Sequence, residues 1–589
     1  MNRRLCLLAA TACLATVVWA GCDYSSPTVP AFPAPDAATT TANGPTEPAN
    51  QGAETATGTD AGATDSTSTT SGASLDEMKA TILESVVSLI QSASLHPGGD
   101  NFKLAVLKLN TYFEDVPRSQ FALRPEVREY LKGANLPSQV LDGFERTSFE
   151  MPDSRHLEDC MLYRGIALRV AKNGDDLTRV RRIFDWIIRQ VQLAPAGTLA
   201  APGLGQAQVR PYDMLLRGMA TEAADGWSER GWLFMSLCRQ LGIDVGLLTY
   251  QPKDVKEPIA WICAALIDGK LYLFDPRLGL AIPGPDGTGV ATLDDALADP
   301  VVLGRLNVAG APAFEPSHAL LAADTTKIGI LIDSSQGYYA PRMLLLEKSL
   351  PGKHQTILYR DPVDERDRFL KALGARAGLV NPWPLPLMVE TMLFTRGDFV
   401  RATEHALFLF RPEFPLIYAR IKQLRGELTE AIGDYMTFRF AEHPLLMDKK
   451  TPMPDEIQHA LDMYASYFLA LAHLDQVELD PEKREEHLKR AETFFGATLR
   501  LLPAPGPGQP YYHMFRWGAQ ANLGLLNEAQ GDPESAVKYY AADDPTAQHQ
   551  GSLIRARDLV WRNPMAPVPA PLPAPPAPTA GEPPAFLKK

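Results

Sequence analysis

Histidine is scarce in this chain, and its distribution is uneven. Of 589 residues only 11 are His, and none falls between His156 and His318. That interval holds no imidazole to act as a general base or to activate a nucleophile. Cysteine is also rare, with six residues at positions 6, 13, 22, 160, 238 and 263. Their spacing gives neither a disulfide framework nor a zinc signature. We therefore expect no metal and no cofactor. An excess of basic residues is lacking too: 57 Lys and Arg against 70 Asp and Glu leave a net charge of −13. That balance argues against a nucleic-acid partner, which needs a basic surface. Beyond the N-terminus no run of about 18 apolar residues appears, so nothing further is expected to cross a bilayer.

The N-terminus itself reads as a targeting segment. "MNRRLCLLAATACLATVVWAGC" has Arg3 and Arg4, an apolar run, and small residues before Cys22. Its ending, "WAGC", resembles a bacterial lipoprotein lipobox, with Trp19 in place of the usual aliphatic residue. The resemblance implies acylation of Cys22 and attachment to a membrane by lipid, periplasmic or surface-facing. The alternatives are a plain signal peptide and an N-terminal membrane anchor. Residues 23–75 are rich in Ala, Thr, Pro, Gly and Ser and bury too little to fold, which suits a flexible tether. Residues 563–589, "PMAPVPAPLPAPPAPTAGEPPAFLKK" with its flanks, form a Pro/Ala-rich tail of polyproline II character.

Between these ends we expect an α+β, multidomain chain. Residues 76–150 read as helical. Leu177, Val180, Ile183, Phe184, Ile187, Ile188 and Val191 share one face of a helix, with Asp175 or Asp176 as its cap. "PYDMLLRGMATEAADG" reads as a loop and "SERGWLFMSLCRQLG" as a helix with Ser228 as N-cap. "IDVGLLTY", "AWICAALID" and "KLYLFD" then read as strands, the last two joined at Asp268-Gly269. Residues 311–364 form an α/β connector, and 365–562 are mostly helical. Within that last region the pairs Gly397/Ala402, Gly426/Ala431 and Gly531/Ala536 recur at inter-helix turns. They resemble tetratricopeptide-type repeats, an architecture that offers a binding surface for a protein or peptide partner, cell-wall material included.

The order helix, loop, helix, then strands ending in "YLFDPRLG", resembles the transglutaminase-like (papain-like cysteine) superfamily over residues 151–310. The resemblance implies an α+β core of a helix against an antiparallel sheet. It also implies a Cys at the N-terminus of the second helix, a His opening a strand, and an Asp ending the next one. The Cys position falls on Trp227, the His position on Ile259, and only the acid position keeps its residue, Asp275. An indole and a hydrocarbon neither attack a carbonyl nor move a proton. Trp227 reads as a plug of the old cleft, with an aromatic platform for a peptide or glycan as the alternative. Asp275 is equally explained as an Asp-Pro turn residue. Cys238 lies about 16 Å along the helix from Trp227 and reads as core. Candidate substitutes are Ser228 as nucleophile, with His318 or His156 reaching in as base. His156 and Cys160 share a helical face, but two ligands are too few for a metal site. The leading expectation is a non-catalytic, membrane-tethered binding or adaptor protein. The alternative is a hydrolase or acyl-transferase with relocated catalytic residues.

Overall fold

A computed structural model describes residues 75–93, 95, 100–195, 200–201, 205–206, 209–222, 228–412, 414–439, 450–502 and 510–562. The targeting segment with Cys22, linker residues 23–74, the tail 563–589 and Trp227 lie outside the described residues. Two units divide the chain, Met1–Asp76 and Glu77–Lys589, and the described residues fall almost wholly in the second. That unit is mainly helical and is built on a six-stranded sheet.

Ten strands are present among the described residues. Short pieces come first: β1 (Gln192–Ala194), β2 (Ala200–Ala201), β3 (Gly205–Gln206) and β4 (Met219–Thr221). The main sheet follows with β5 (Asp244–Gln251), β6 (Ile259–Ile267), β7 (Lys270–Asp275), β8 (Leu280–Ala281), β9 (Lys327–Ile332) and β10 (Ala377–Pro382). Their order is β10-β9-β5-β6-β7-β8. The β6–β7 hairpin turns where the sequence signals it. Asp268 and Gly269 both have positive φ, 50° and 75°, as a two-residue type I′ turn requires.

The sheet departs from the expectation in one respect. An antiparallel sheet is implied by the resemblance, but β10 runs parallel to β9, so the sheet is mixed. β9 comes from the connector and β10 from the stretch read as helical. The segment read as a loop after Val209 also folds. It forms the helix Pro211–Arg217, closed by Gly218 at φ 67°, and then β4, which pairs parallel with β1.

Side chains alternate across the sheet. Val245, Leu247, Cys263, Ala265 and Phe274 face helices Met151–Ala171, Asp176–Gln190 and Glu229–Arg239. Leu248, Ile262, Ala264, Leu273 and Ile330 face the other way, onto helices Leu293–Ala298 and Pro362–Leu373. Asp175 caps its helix as expected, accepting a hydrogen bond from the Thr178 N–H at 2.7 Å. Helix Glu229–Arg239 is buried on every side, so it is the central strut of the first face. Its end is a Schellman motif, in which Gly242 has φ 78° and the Ile243 N–H returns to the Cys238 carbonyl at 3.2 Å.

The helices after residue 384 share this core. Phe468, Phe515 and Leu523 lie in the same apolar cluster as Phe184 and Phe234. Arg420, with no exposed surface, ties the two parts together. It donates to the Leu215 carbonyl at 2.7 and 2.9 Å, to Gln190 Oε1 at 3.2 Å and to Gln423 Oε1 at 2.9 Å. Its guanidinium lies 4.3 Å from the Phe468 ring centre. Of the three Gly/Ala pairs, Gly426 (φ 89°) and Gly531 (φ 78°) make inter-helix turns, whereas Gly397 opens a helix. Ala402, Ala431 and Ala536 are all buried. No helix among the described residues is long and apolar enough to cross a membrane.

Candidate functional site

Of the positions carried over from the resemblance, Trp227 lies outside the described residues, Ile259 opens β6 and Asp275 ends β7, while the substitute Ser228 stands at the start of helix Glu229–Arg239. Ser228 is its N-cap by backbone geometry, with φ −134° and ψ 150°. Its side chain makes no capping bond, however, and although Ser228 is only 4% exposed, Oγ has no partner among the described residues. Glu229 accepts a hydrogen bond from the Thr221 N–H at 2.8 Å and pairs with buried Arg217 at 3.5 Å, which locks the first turn against β4. A carboxylate there also suits the helix dipole.

Asp275 ends β7 with no exposed surface. Its carboxylate accepts from the N–H groups of Arg277 (2.8 Å) and Leu278 (3.1 Å) and pairs with the Arg277 guanidinium at 3.5 Å. These bonds build the turn after the strand, the structural role an Asp-Pro step commonly has. Ile259 opens β6 but packs with the second face of the sheet, while its neighbour Ala260 lies on the helix side. Phe274 pairs with Cys263, so the start of β6 stands roughly 10 Å along the strand from the position opposite Asp275.

Neither expected histidine reaches this place. His318 opens a short helix whose Leu321 lies in the second-face core, and its Nε2 bonds the Leu297 carbonyl at 3.1 Å. His156 lies in a third apolar cluster with Tyr338. Its Nε2 bonds the Leu358 carbonyl at 3.0 Å, and burial pulls its pKa down to about 4, so the ring is neutral near pH 7. Cys160 Sγ lies 3.6 Å from that nitrogen and bonds Tyr338 Oη at 3.4 Å. Among the described residues, no group of three or more His, Cys, Asp or Glu side chains gathers as metal ligands.

The thiols are equally placed for packing. Cys160, Cys238 and Cys263 are free and buried. Burial pushes all three thiols up in pKa, away from the reactive thiolate. Cys263 Sγ stands 3.2 Å from where a Cβ on Gly231 would sit, so this glycine lets the helix close onto β6.

The sequence reading missed what lies against the turn after β7. Helix Gln548–Arg562 folds back onto it. A Cβ on Gly551 would overlap the Leu278 carbonyl oxygen, so backbone meets backbone there. Gln550 Nε2 donates to the Leu306 carbonyl at 2.9 Å, Arg555 Nη2 to the Gly279 carbonyl at 3.3 Å, and the Ala547 N–H to Glu222 Oε2 at 3.4 Å. Glu222 in turn forms a β-bridge with Ser228. This docking brings Asp544 into the electrostatic neighbourhood of Glu222 and Arg230, with His549 beside Asp544. A glycine inside an otherwise regular helix was the available sequence signal.

No family model, curated protein or solved structure matches this chain. Arg230, with no exposed surface, donates to the Val191 carbonyl at 2.6 Å and the Pro276 carbonyl at 3.2 Å, and burial pulls its pKa down to about 10. Its Nη2, Arg277 Nε and His549 Nδ1 have no partner among the described residues. Burial pushes the Glu222 and Asp544 carboxyls up. The result is a set of polar groups under a helical cover. Among the described residues no acceptor lies within hydrogen-bond reach of Ser228 Oγ to take its proton.

Proposed function

We propose that this chain is a non-catalytic protein of transglutaminase-like architecture that acts by binding in the bacterial cell envelope. In this reading Cys22 carries a lipid anchor and the helices after residue 384 present a surface to a protein or peptide partner. The observation that carries the non-catalytic part is Ser228 Oγ, buried and with no hydrogen-bond partner among the described residues, while Ile259 packs against the second face of the sheet. The buried, protonated thiols support the same reading. The test is an amide hydrolysis and transamidation assay with the purified chain across pH 5–9. No turnover above that of a Ser228→Ala variant is expected. Turnover that this substitution abolishes would refute the proposal.

One observation favours a second reading, a hydrolase or acyl-transferase with relocated residues. Helix Gln548–Arg562 brings His549 close to Asp544, and Glu222 bridges to Ser228. That reading predicts labelling of Ser228 by a fluorophosphonate probe, lost in His549→Ala. Absence of labelling in the folded chain returns the protein to the binding class.

A further inference from the structure

Four polar side chains gather in the interior, where β1 approaches helices Glu229–Arg239, Asp455–Leu479 and Pro510–Gln530. They are Gln192, Arg230, Tyr467 and Asn522, none more than 2% exposed. Arg230 Nη2, both amide atoms of Gln192 and Asn522 Oδ1 have no hydrogen-bond partner among the described residues. Burying polar groups in that condition is costly unless a bound species supplies the missing bonds. We infer that Arg230 Nη2, Tyr467 Oη and the Gln192 amide form a binding site for a small monovalent anion of the halide type, chloride under ordinary conditions.

Gly518 brings two of these groups together. Gln192 Oε1 lies 1.9 Å, and Tyr467 Oη 2.6 Å, from where a Cβ on this glycine would sit. Glycine weakens the interior of a 21-residue helix, and here it is required because two polar side chains occupy the place of a methyl group. Asn522 Nδ2 donates to Tyr467 Oη at 3.4 Å, so the phenol keeps its own hydrogen to give. Arg230 joins the group through the chain: its Nε holds the carbonyl of Val191, the residue before Gln192, at 2.6 Å. Tyr467 also acts on Arg230 through space more strongly than any carboxylate does.

The charge balance calls for an anion. The Arg230 guanidinium donates to the Val191 and Pro276 carbonyls and forms no ion pair among the described residues. Glu222 and Asp544 act on it through space, but Glu222 accepts from the Ala547 N–H, and Asp544 from the Thr546 N–H and hydroxyl at 2.8 Å each. Asp475, on the helix of Tyr467, is held by Trp186 at 3.1 Å and Gln190 at 3.0 Å. Arg420 adds positive potential at Tyr467. Uncommitted donors beside a buried cation suit a negative guest. The Gln192 and Asn522 oxygens suit a water that accompanies the ion. Full enclosure favours a weakly hydrated halide over phosphate or sulfate, whose burial costs more.

The test is thermal unfolding of the purified chain in sodium chloride against sodium gluconate at equal ionic strength, with crystals grown in sodium bromide. Chloride is expected to raise the midpoint by about 2 °C and to saturate, as an ion held only by the folded state does. Bromide should give an anomalous scattering peak at Arg230 Nη2. Tyr467→Phe and Gln192→Leu should each diminish the chloride shift, and Arg230→Met should remove it. If Arg230→Met does not fold, the bromide peak in the parent decides. Equal midpoints in chloride and gluconate would overturn the inference. So would bromide crystals without that peak, or a full chloride shift in folded Arg230→Met.

Discussion

Gly551→Ala separates two physical effects by the sign of its outcome. Helix propensity alone predicts that alanine stabilises a helix interior by about 1 kcal/mol over glycine. The fold predicts the reverse, because the new Cβ would overlap the Leu278 carbonyl oxygen, and a backbone atom cannot rotate aside. Helix Gln548–Arg562 would have to lift. Lifting exposes Ile554, which is 2% exposed in the fold, at a cost of about 1.5–3 kcal/mol. It also weakens the hydrogen bonds from Gln550 to Leu306 and from Arg555 to Gly279, each worth about 0.5–1.5 kcal/mol. Partial lifting, less the propensity gain, leaves a net loss of roughly 2–4 kcal/mol. Urea unfolding at 25 °C measures it, and hydrogen exchange locates it: protection should fall at residues 276–282 and 548–562. A Gly551→Ala protein about 1 kcal/mol more stable than the parent would refute the docked helix.

Raising the pH from 6.5 to 8.5 should lower stability. Burial pushes the Glu390 carboxyl up to about 8, and the Asp159 and Glu365 carboxyls up to about 7. In that window the folded chain keeps protons that the unfolded chain has released, so the unfolded state gains as pH rises. Glu390→Gln should flatten the decline in the urea midpoint, and an unchanged slope would exclude this carboxyl. Between pH 6.5 and 4 the sign reverses for His156 and His473, both held neutral with pKa values of about 4, so acid favours the unfolded chain through them. Iodoacetamide at pH 7.5 should leave Cys160, Cys238 and Cys263 unmodified in the folded protein and alkylate them in 6 M guanidinium, as mass spectrometry would report. Asp275→Ala should cost roughly 1–3 kcal/mol, because it strips the Arg277 and Leu278 N–H groups of their acceptor; a loss below 0.5 kcal/mol would rule out the turn role.

Much of the local structure could be read directly from the residues, because it depends on neighbours along the chain. The apolar stripe from Val180 to Val191 is buried, Asp175 caps its helix, and Asp268-Gly269 turns the hairpin. What escaped was non-local. β10, "AGLVNP", carries no alternation that signals a strand, and it forms by pairing with β9 some fifty residues earlier. Pro211 opens the stretch that reads as a loop, yet it takes the first position of a helix, where its missing N–H costs nothing. Of the candidate site, the backbone role of Ser228 and the turn role of Asp275 followed from sequence. The packing of Ile259 against the far face did not, since it depends on the register of β6. The arrival of His549 depends on a helix more than 250 residues downstream of the turn it covers.

The shared core around Arg420 bears on how this molecule can be taken apart. Excising the helices after residue 384 would leave Leu215, Gln190 and Phe468's former neighbours facing water, so truncation would test folding rather than recognition. During synthesis, the flank formed by Leu278, Gly279 and Leu306 stays bare until residues 548–562 emerge. For most of its translation the nascent chain therefore presents an unfinished surface, and the native topology can close only after nearly all of the described sequence has been made.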